Sequence, residues 1–470
     1  AGNKAKAIQD AILCLFEAYL KLKPTILIVE DIQWLDSESS KILQSLATKL
    51  RIVCSSRYHD DGSIHRLDSD ARAAVIQLEP WTAKQIKPFA AMLLQREVSE
   101  SLAVFLEQKC LGNLLCIEQL CDNLLANDLL EEIDGLLHIK DTATQLSTGI
   151  NALLMARIDR LDRSMKDAIH AASVLGNEFT GEVLHELLLR SQAFSEELSD
   201  PRELLENGRK IRLWNMLNEV SYSFSHGLLR DTAYDMQLGK ELKKLHRLAA
   251  EIMVDYWRED KSKYSEIAAH FLKAELYQEA TEYYRLAGEW AKDLYLEHEA
   301  LNMYNLALEI IRDKLQKADK SEATLLMAIG VLYYIFGKYD LALGFLRQSE
   351  KLYLKTSGPD SLSISSCYGN LGTVMLLLAQ YDDALRMLNK GLAIMLAQDN
   401  PPLNYIATAY SNIAQVHSAK LELELAEQNY LKGFAIEEQL YGPEHPIVGR
   451  SLSNLADHYC NQEQPAKPGN

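Results

Sequence analysis

Several absences narrow what this sequence can do. It has no apolar run of membrane-spanning length, and it does not open with a signal peptide. Its seven cysteines form no CxxC or other metal spacing and no paired framework, and no HxxxH occurs. That argues against a zinc site or a disulfide scaffold and for reduced core thiols in a cytoplasmic protein. Positive charge is short, with 49 Lys+Arg against 66 Asp+Glu and a formal net charge of −17. Broad nucleic-acid binding needs a basic face, so none is expected. Also missing is G-x-x-x-x-G-K-[ST], the loop whose glycine N–H groups and lysine grip nucleotide phosphates.

What is present, over 470 residues, is enough chain for about three or four domains. The stretch Thr25 to Asp36, TILIVEDIQWLD, organises the first of them. A short apolar run ending in two acids, Glu30 and Asp31, reads as a strand of a parallel α/β sheet, buried on both faces. Ligands in such sheets sit beyond the carboxyl ends of the strands. Two acids at that point suit Mg²⁺, which is held through one or two carboxylates, waters and phosphates. The plainer alternative is an ordinary sheet edge, with Asp36–Ser37 capping the next helix. A helix is expected before Pro24 and another over 37–50, then strands at RIVCSS (51–56) and AVIQLEP (74–80).

Glu30, Asp31, Trp34 and Asp36 together resemble the Walker B segment of the signal-transduction NTPases with numerous domains, the STAND class of P-loop ATPases. The resemblance implies ATP or ADP with Mg²⁺, Glu30 and Asp31 as metal-holding and catalytic acids, and Arg57 reading the γ-phosphate. An exposed Arg at a strand end is the alternative for Arg57. In the family the missing phosphate loop lies upstream of the Walker B strand, by more residues than precede Thr25. The expectation is therefore a truncated site with its other half before Ala1, or else a degenerate one. Without that loop, ATP turnover by this chain alone is not expected.

Residues 81–134 read as a helical lid. Gly112-Asn113-Leu114-Leu115-Cys116-Ile117-Glu118 resembles a STAND sensor motif in which a proline follows the Asn; Leu114 stands there instead. Gly112 and Asn113 would then lie at the nucleotide, although Gly-Asn is also a good helix cap. Residues 135–257 resemble a winged-helix domain, with GLLHIKD as a strand and KIRLWN and VSYSFS as a two-stranded wing. In STAND proteins a histidine near this place contacts the ADP phosphate, which is the reading for His226; a satisfied core histidine is the alternative. A DNA-reading winged helix is disfavoured by the acidic balance.

From 264 to 470 the chain repeats. Ala342, Ala384 and Ala426 are 42 apart, as are Gly330, Gly372, Ala414 and Ala456. Small residues let paired helices approach and large ones fill the space beside them. This code resembles the tetratricopeptide repeat. The 42-residue period and Gly-Pro-Glu-His-Pro at 442–446 resemble the repeats of kinesin light chain. Upstream, Tyr277/Ala280/Tyr284 and Ala300/Tyr304/Ala307 give overlapping frames. Asn370, Asn412 and Asn454 also recur at 42, so one face should carry an amide row. It either holds the backbone of an extended peptide or forms a ladder between repeats. Tyr368 and Tyr410 fit the repeat's packing position.

The expected fold is mainly α: part of a P-loop NTPase domain (1–80), helical lid (81–134), winged-helix-like domain (135–257) and a tetratricopeptide superhelix (264–470). The order resembles STAND regulators attached to class III nucleotide cyclases, kinases or transcription regulators. It implies an ATP/ADP-driven switch with a protein or peptide ligand on the concave repeat face and nucleotide-driven homo-oligomerisation. The competing reading is a dead NTPase platform carrying a peptide-binding scaffold.

Overall fold

The computed structural model describes residues 2–35, 37–56, 74–140, 149–191, 201–316 and 319–463. They fall into two compact units, 1–256 and 257–470.

The first unit opens with α1 (Gly2–Leu22), β1 (Ile26–Val29), α2 (Ser37–Ala47) and β2 (Arg51–Cys54). β1 and β2 pair in parallel, Ile26 beside Arg51 through Val29 beside Cys54. One face of this ladder is covered: Leu27, Val29 and Ile52 pack with Leu13, Phe16 and Leu20 of α1 and Leu43 and Leu46 of α2. The opposite face is not, so the expectation of burial on both sides fails. Ile26 and Ile28 are 60% and 67% exposed because no described element lies over them. The strand expected at 74–80 is absent as well. It makes no ladder, and Ile76 and Leu78 are 84% and 91% exposed.

Three helices follow, α3 (Ala83–Leu94), α4 (Glu100–Cys110) and α5 (Leu114–Ala126), then the hairpin β3 (Leu130–Ile133) and β4 (Leu136–Ile139). Its turn is Asp134–Gly135, both at positive φ, the two-residue geometry that matches strand twist. Leu130, Leu137 and Leu153 join Ile86, Leu102, Ile117 and Leu120 in one core. β3 occupies residues that the sequence reading gave to helix, and the hairpin runs across 134/135.

Next come α6 (Ile150–Asp159), α7 (Arg163–Leu175), β5 (Glu178–Thr180), α8 (Gly181–Ser191), α9 (Pro201–Lys210), β6 (Trp214–Met216), β7 (Ser221–Phe224), α10 (Gly227–Asp235) and α11 (Gly239–Tyr256). β6 and β7 form an antiparallel pair where two strands are expected, but the first begins at Trp214 rather than Lys210, which ends α9, and β5 adds a third strand in the order β5-β7-β6. Phe179, Trp214, Tyr222 and Phe224 make the aromatic centre, with edge-on rings 5.6 Å apart for Phe179–Trp214. Trp214 is fully buried and donates Nε1–H to the Leu205 carbonyl at 2.8 Å. Gly208 passes over its ring so closely that a Cβ there would lie 2.1 Å from Cζ2.

The second unit is a run of helices: α12 (Tyr264–Lys273), α13 (Tyr277–Asp293), α14 (Glu297–Ile310), α15 (Lys320–Ile335), α16 (Tyr339–Thr356), α17 (Leu362–Leu377), α18 (Tyr381–Leu396), α19 (Leu403–Ala419), α20 (Leu423–Tyr441) and α21 (Pro446–Glu463). α13 pairs with α14, α15 with α16, α17 with α18 and α19 with α20, and each pair packs on the next. A Cβ on Gly330 would sit 2.9 Å from Leu346 Cγ, and one on Gly372 2.5 Å from Leu388 Cγ. Gly288 stands in the same relation to Tyr304, at 2.4 Å from Cε1. Gly288 is 42 residues before Gly330, and Tyr304 is 42 before Leu346. This resolves the overlapping frames, since α13–α14 is in register with the later pairs. α13 also packs against α12, which is why its other face carries the Ala280/Tyr284 pattern.

Candidate functional site

At the carboxyl end of β1 the backbone turns sharply. Asp31 takes a left-handed conformation (φ 54°), and its N–H donates to Ser55 Oγ at 3.1 Å, tying this turn to the end of β2. Gln33 Nε2 donates to Asp31 Oδ1 at 2.8 Å. Glu30 and Asp31 are both exposed. Two open carboxylates fit a hydrated Mg²⁺, but among the described residues no cluster of three metal-ligating side chains forms. Arg57 and Asp36 lie outside the described residues.

The Gly112–Asn113 turn joins α4 to α5. Leu111 and Gly112 are both left-handed (φ 49° and 72°). Gly112 lies against the backbone of Trp81, where a Cβ would come within 2.5 Å of the Trp81 nitrogen. Asn113 is the N-cap of α5, its Oδ1 accepting from the Cys116 N–H at 3.0 Å. The capping role is thus filled by the Asn side chain itself. Beneath the turn, Cys110, Cys116 and Cys121 are buried, whereas Cys14, Cys54 and Cys460 are exposed and so are not the core thiols expected. Burial pushes the Cys121 thiol up to about 12.

One turn further along α5, charges converge. Glu118 Oε1 meets Arg212 Nη1 at 3.4 Å, and its Oε2 lies 4.0 Å from His226 Nε2. His226 is the N-cap residue of α10, and its side chain makes no cap hydrogen bond. Arg157 of α6 braces the same seam, donating to Gln119 Oε1 at 2.9 Å and to the Ile211 carbonyl at 2.7 Å. Arg212 itself has a left-handed backbone (φ 57°). The motif's last residue and the expected histidine are therefore neighbours; Gly112 and Asn113 stand a helical turn away from that pair. Arg157 and Arg212 carried no sequence signal: an arginine near the end of a helix is ordinary, and only the fold places both beside Glu118.

In the second unit, Asn370, Asn412 and Asn454 lie on the first helices of successive pairs, each half-buried. Asn412 Nδ2 donates to Thr373 Oγ1 of the preceding pair at 3.4 Å, so this amide faces the seam between first helices. Tyr368 is buried in the core as its packing position requires, and Lys390 lies over its ring. Lys432 lies over the Tyr410 ring in the same way, 42 residues on.

Residues 321–397 and 405–467 match the tetratricopeptide-repeat family model. The repeats therefore form a tetratricopeptide-like α-solenoid, an architecture that serves as a protein-interaction scaffold. A protein of Rhizobium meliloti (strain 1021), itself described as uncharacterized, is 23% identical over 355 residues, 71% of this chain and 33% of the relative. The chain thus spans about a third of that relative's length. Among solved structures, a STAND protein with a tetratricopeptide repeat sensor from Pyrococcus horikoshii aligns over 99% of this chain and 81% of its own, at 15% identity and a TM-score of 0.35. The tetratricopeptide-like repeats of a putative kinesin light chain from Podosopora anserina align over 38% of this chain and 86% of theirs, at 18% identity and a TM-score of 0.33. Among the described residues no helix is long and apolar enough to cross a membrane.

Proposed function

We propose that this chain is a sensing and switching region in which the repeats bind a protein or peptide and residues 1–256 respond to ATP or ADP. For the repeats the reading rests on the amide row: Asn370, Asn412 and Asn454 recur on a non-buried face of the first helices, within reach of an extended backbone. For the nucleotide it rests on the convergence of Glu118, Arg212 and His226, which links the helix opened by Gly112–Asn113 to the start of α10. A phosphate drawn to the N-terminus of α10 would compete with Glu118 for His226 and Arg212. In that way ligand binding would bias how α5 sits on the residues around 212–226. Glu30 and Asp31 would hold Mg²⁺ through water, and Arg57 would face the γ-phosphate. The sequence contains no phosphate-gripping loop, so no hydrolytic step is assigned to this chain.

Calorimetry with ATP and ADP, with and without Mg²⁺, tests the switch on this chain and on any longer form carrying upstream residues. Glu30→Gln/Asp31→Asn serves as the control. Mg²⁺-dependent binding that the double variant weakens is the expected result. A folded, longer protein that binds neither nucleotide leaves the second reading, a peptide-binding scaffold on an inactive platform.

A further inference from the structure

The first helices α15, α17 and α19 are each buried on most of their circumference and open along one strip. On α17 the strip is Ser366, Gly369, Asn370, Thr373, Leu376 and Leu377, exposed at its ends and half-buried between. The positions 42 residues later on α19 show the same exposure, residue for residue, and those 42 earlier on α15 do so except at Thr324, which is half-buried. First helices of successive pairs also touch one another, α15 with α17 and α17 with α19, so the three strips join into one groove. In a chain that is 24% charged, none of these six positions on any of the three helices holds Asp, Glu, Lys, Arg or His.

The charge returns abruptly on both sides. The same strip on α13 carries Glu282, Arg285, Glu289, Lys292 and Asp293, and on α21 it carries Arg450 and Asp457. Arg285 is already engaged by Glu282 and Glu289, each at 2.5 Å. The neutral stretch also has a polarity gradient. On α15 it presents Met327, Val331, Tyr334 and Ile335; on α19 it presents Thr408, Ser411, Gln415 and Ser418.

Burying an unpaired charge against such a surface is costly, and nothing in the strip could offset it. Backbone amides, in contrast, find partners in Asn370 and Asn412. Neighbouring helices lie about 10 Å apart, so the three strips span about 20 Å, the length of about six extended residues. We propose that this groove takes an extended peptide of about six residues that carries no charged side chain, its apolar residues toward α15 and its small polar residues toward α19. The proposal deepens the peptide-binding reading above and rests on it.

The test pans a random library of about seven-residue peptides against the full chain. The control is Gly369→Trp, a site where an added Cβ meets nothing within 4 Å, so the ring enters the groove without disturbing the core. Its fold is checked by circular dichroism. Peptides selected by the native chain and lost on the Gly369→Trp chain should be depleted in Asp, Glu, Lys and Arg, with apolar residues clustered at one end. Their affinity should change less than about twofold between about 0.05 and 0.5 M NaCl, because there is no charge to screen. Groove-dependent peptides rich in one charge, or losing about tenfold in affinity over that salt range, overturn the proposal while leaving the peptide-binding reading intact. Selection that ignores Gly369→Trp, or no selection at all, overturns both.

Discussion

Arg157 shows how one side chain can hold a seam. Its guanidinium joins α5, through Gln119, to the carbonyls of Ile211 and Arg212. Hydrogen bonds to a charged group contribute about 1.5–3 kcal/mol each way they are lost. Arg157→Ala is therefore expected to destabilise the first unit by about 2–3 kcal/mol, read from urea unfolding. His170 makes a different prediction. Its Nε2 is buried without a partner, beside a cavity of about 330 Å³ lined by Asp167, Gln237 and Glu241. Burial holds its pKa below the ordinary imidazole value, with Lys166 acting in the same direction and Asp167 and Asp159 against it. The unfolded chain then takes up a proton first as pH falls. Stability contributed by neutral His170 is complete above about pH 6.5 and lost below it. Asp167, raised by burial, acts with the opposite sign. Thermal unfolding of His170→Phe between about pH 7.5 and 5.5 should show a flatter profile than the native chain; an equal slope would refute the assignment.

Among elements, the repeat pairs are the most constrained. Gly372→Ala would place a methyl 2.5 Å from Leu388 Cγ. Overpacking of this kind costs about 1–3 kcal/mol, and Gly372→Ala/Leu388→Ala should recover part of that loss in the same unfolding assay. This small-against-large arrangement is the reason the solenoid was legible in sequence: the code recurs at a fixed period and each helix obeys it. Elsewhere the local pattern was ambiguous or misleading. In β3, Leu-Glu-Glu-Ile alternates poorly, and the Asp134–Gly135 turn was the usable signal. In 74–80, β-branched residues suggested a strand, but propensity without a partner strand forms no ladder. The acids after β1 were legible as a strand end because the apolar run stops there. The open face of that strand was not, since exposure depends on what packs above it. Glu118 was legible only as part of a motif; its partners Arg212 and His226 are about a hundred residues away in sequence.

For the whole molecule, the two units have separate cores, and in the second each repeat pair is stabilised by its neighbours. Residues 257–470 produced alone should therefore fold, with helical circular dichroism and a cooperative urea transition; a non-cooperative loss of helix would show that the first unit is required. The same separation means that the proposed peptide binding can be tested on the array and the proposed nucleotide binding on residues 1–256. Only an intact chain can reveal whether one alters the other.

The constant 42-residue spacing has an evolutionary consequence. Removing one full period between Gly288 and Leu346 sets Gly288 against Leu346, the residue 42 positions after its present partner Tyr304, so a small residue again faces a large one. Duplicating a period does the same. The array can thus lengthen or shorten by single recombination events without a new packing solution, and what changes is how many residues of a ligand it can span. Reach is a trait this lineage can adjust one unit at a time, while the chemistry of each unit's strip is adjusted by point mutation.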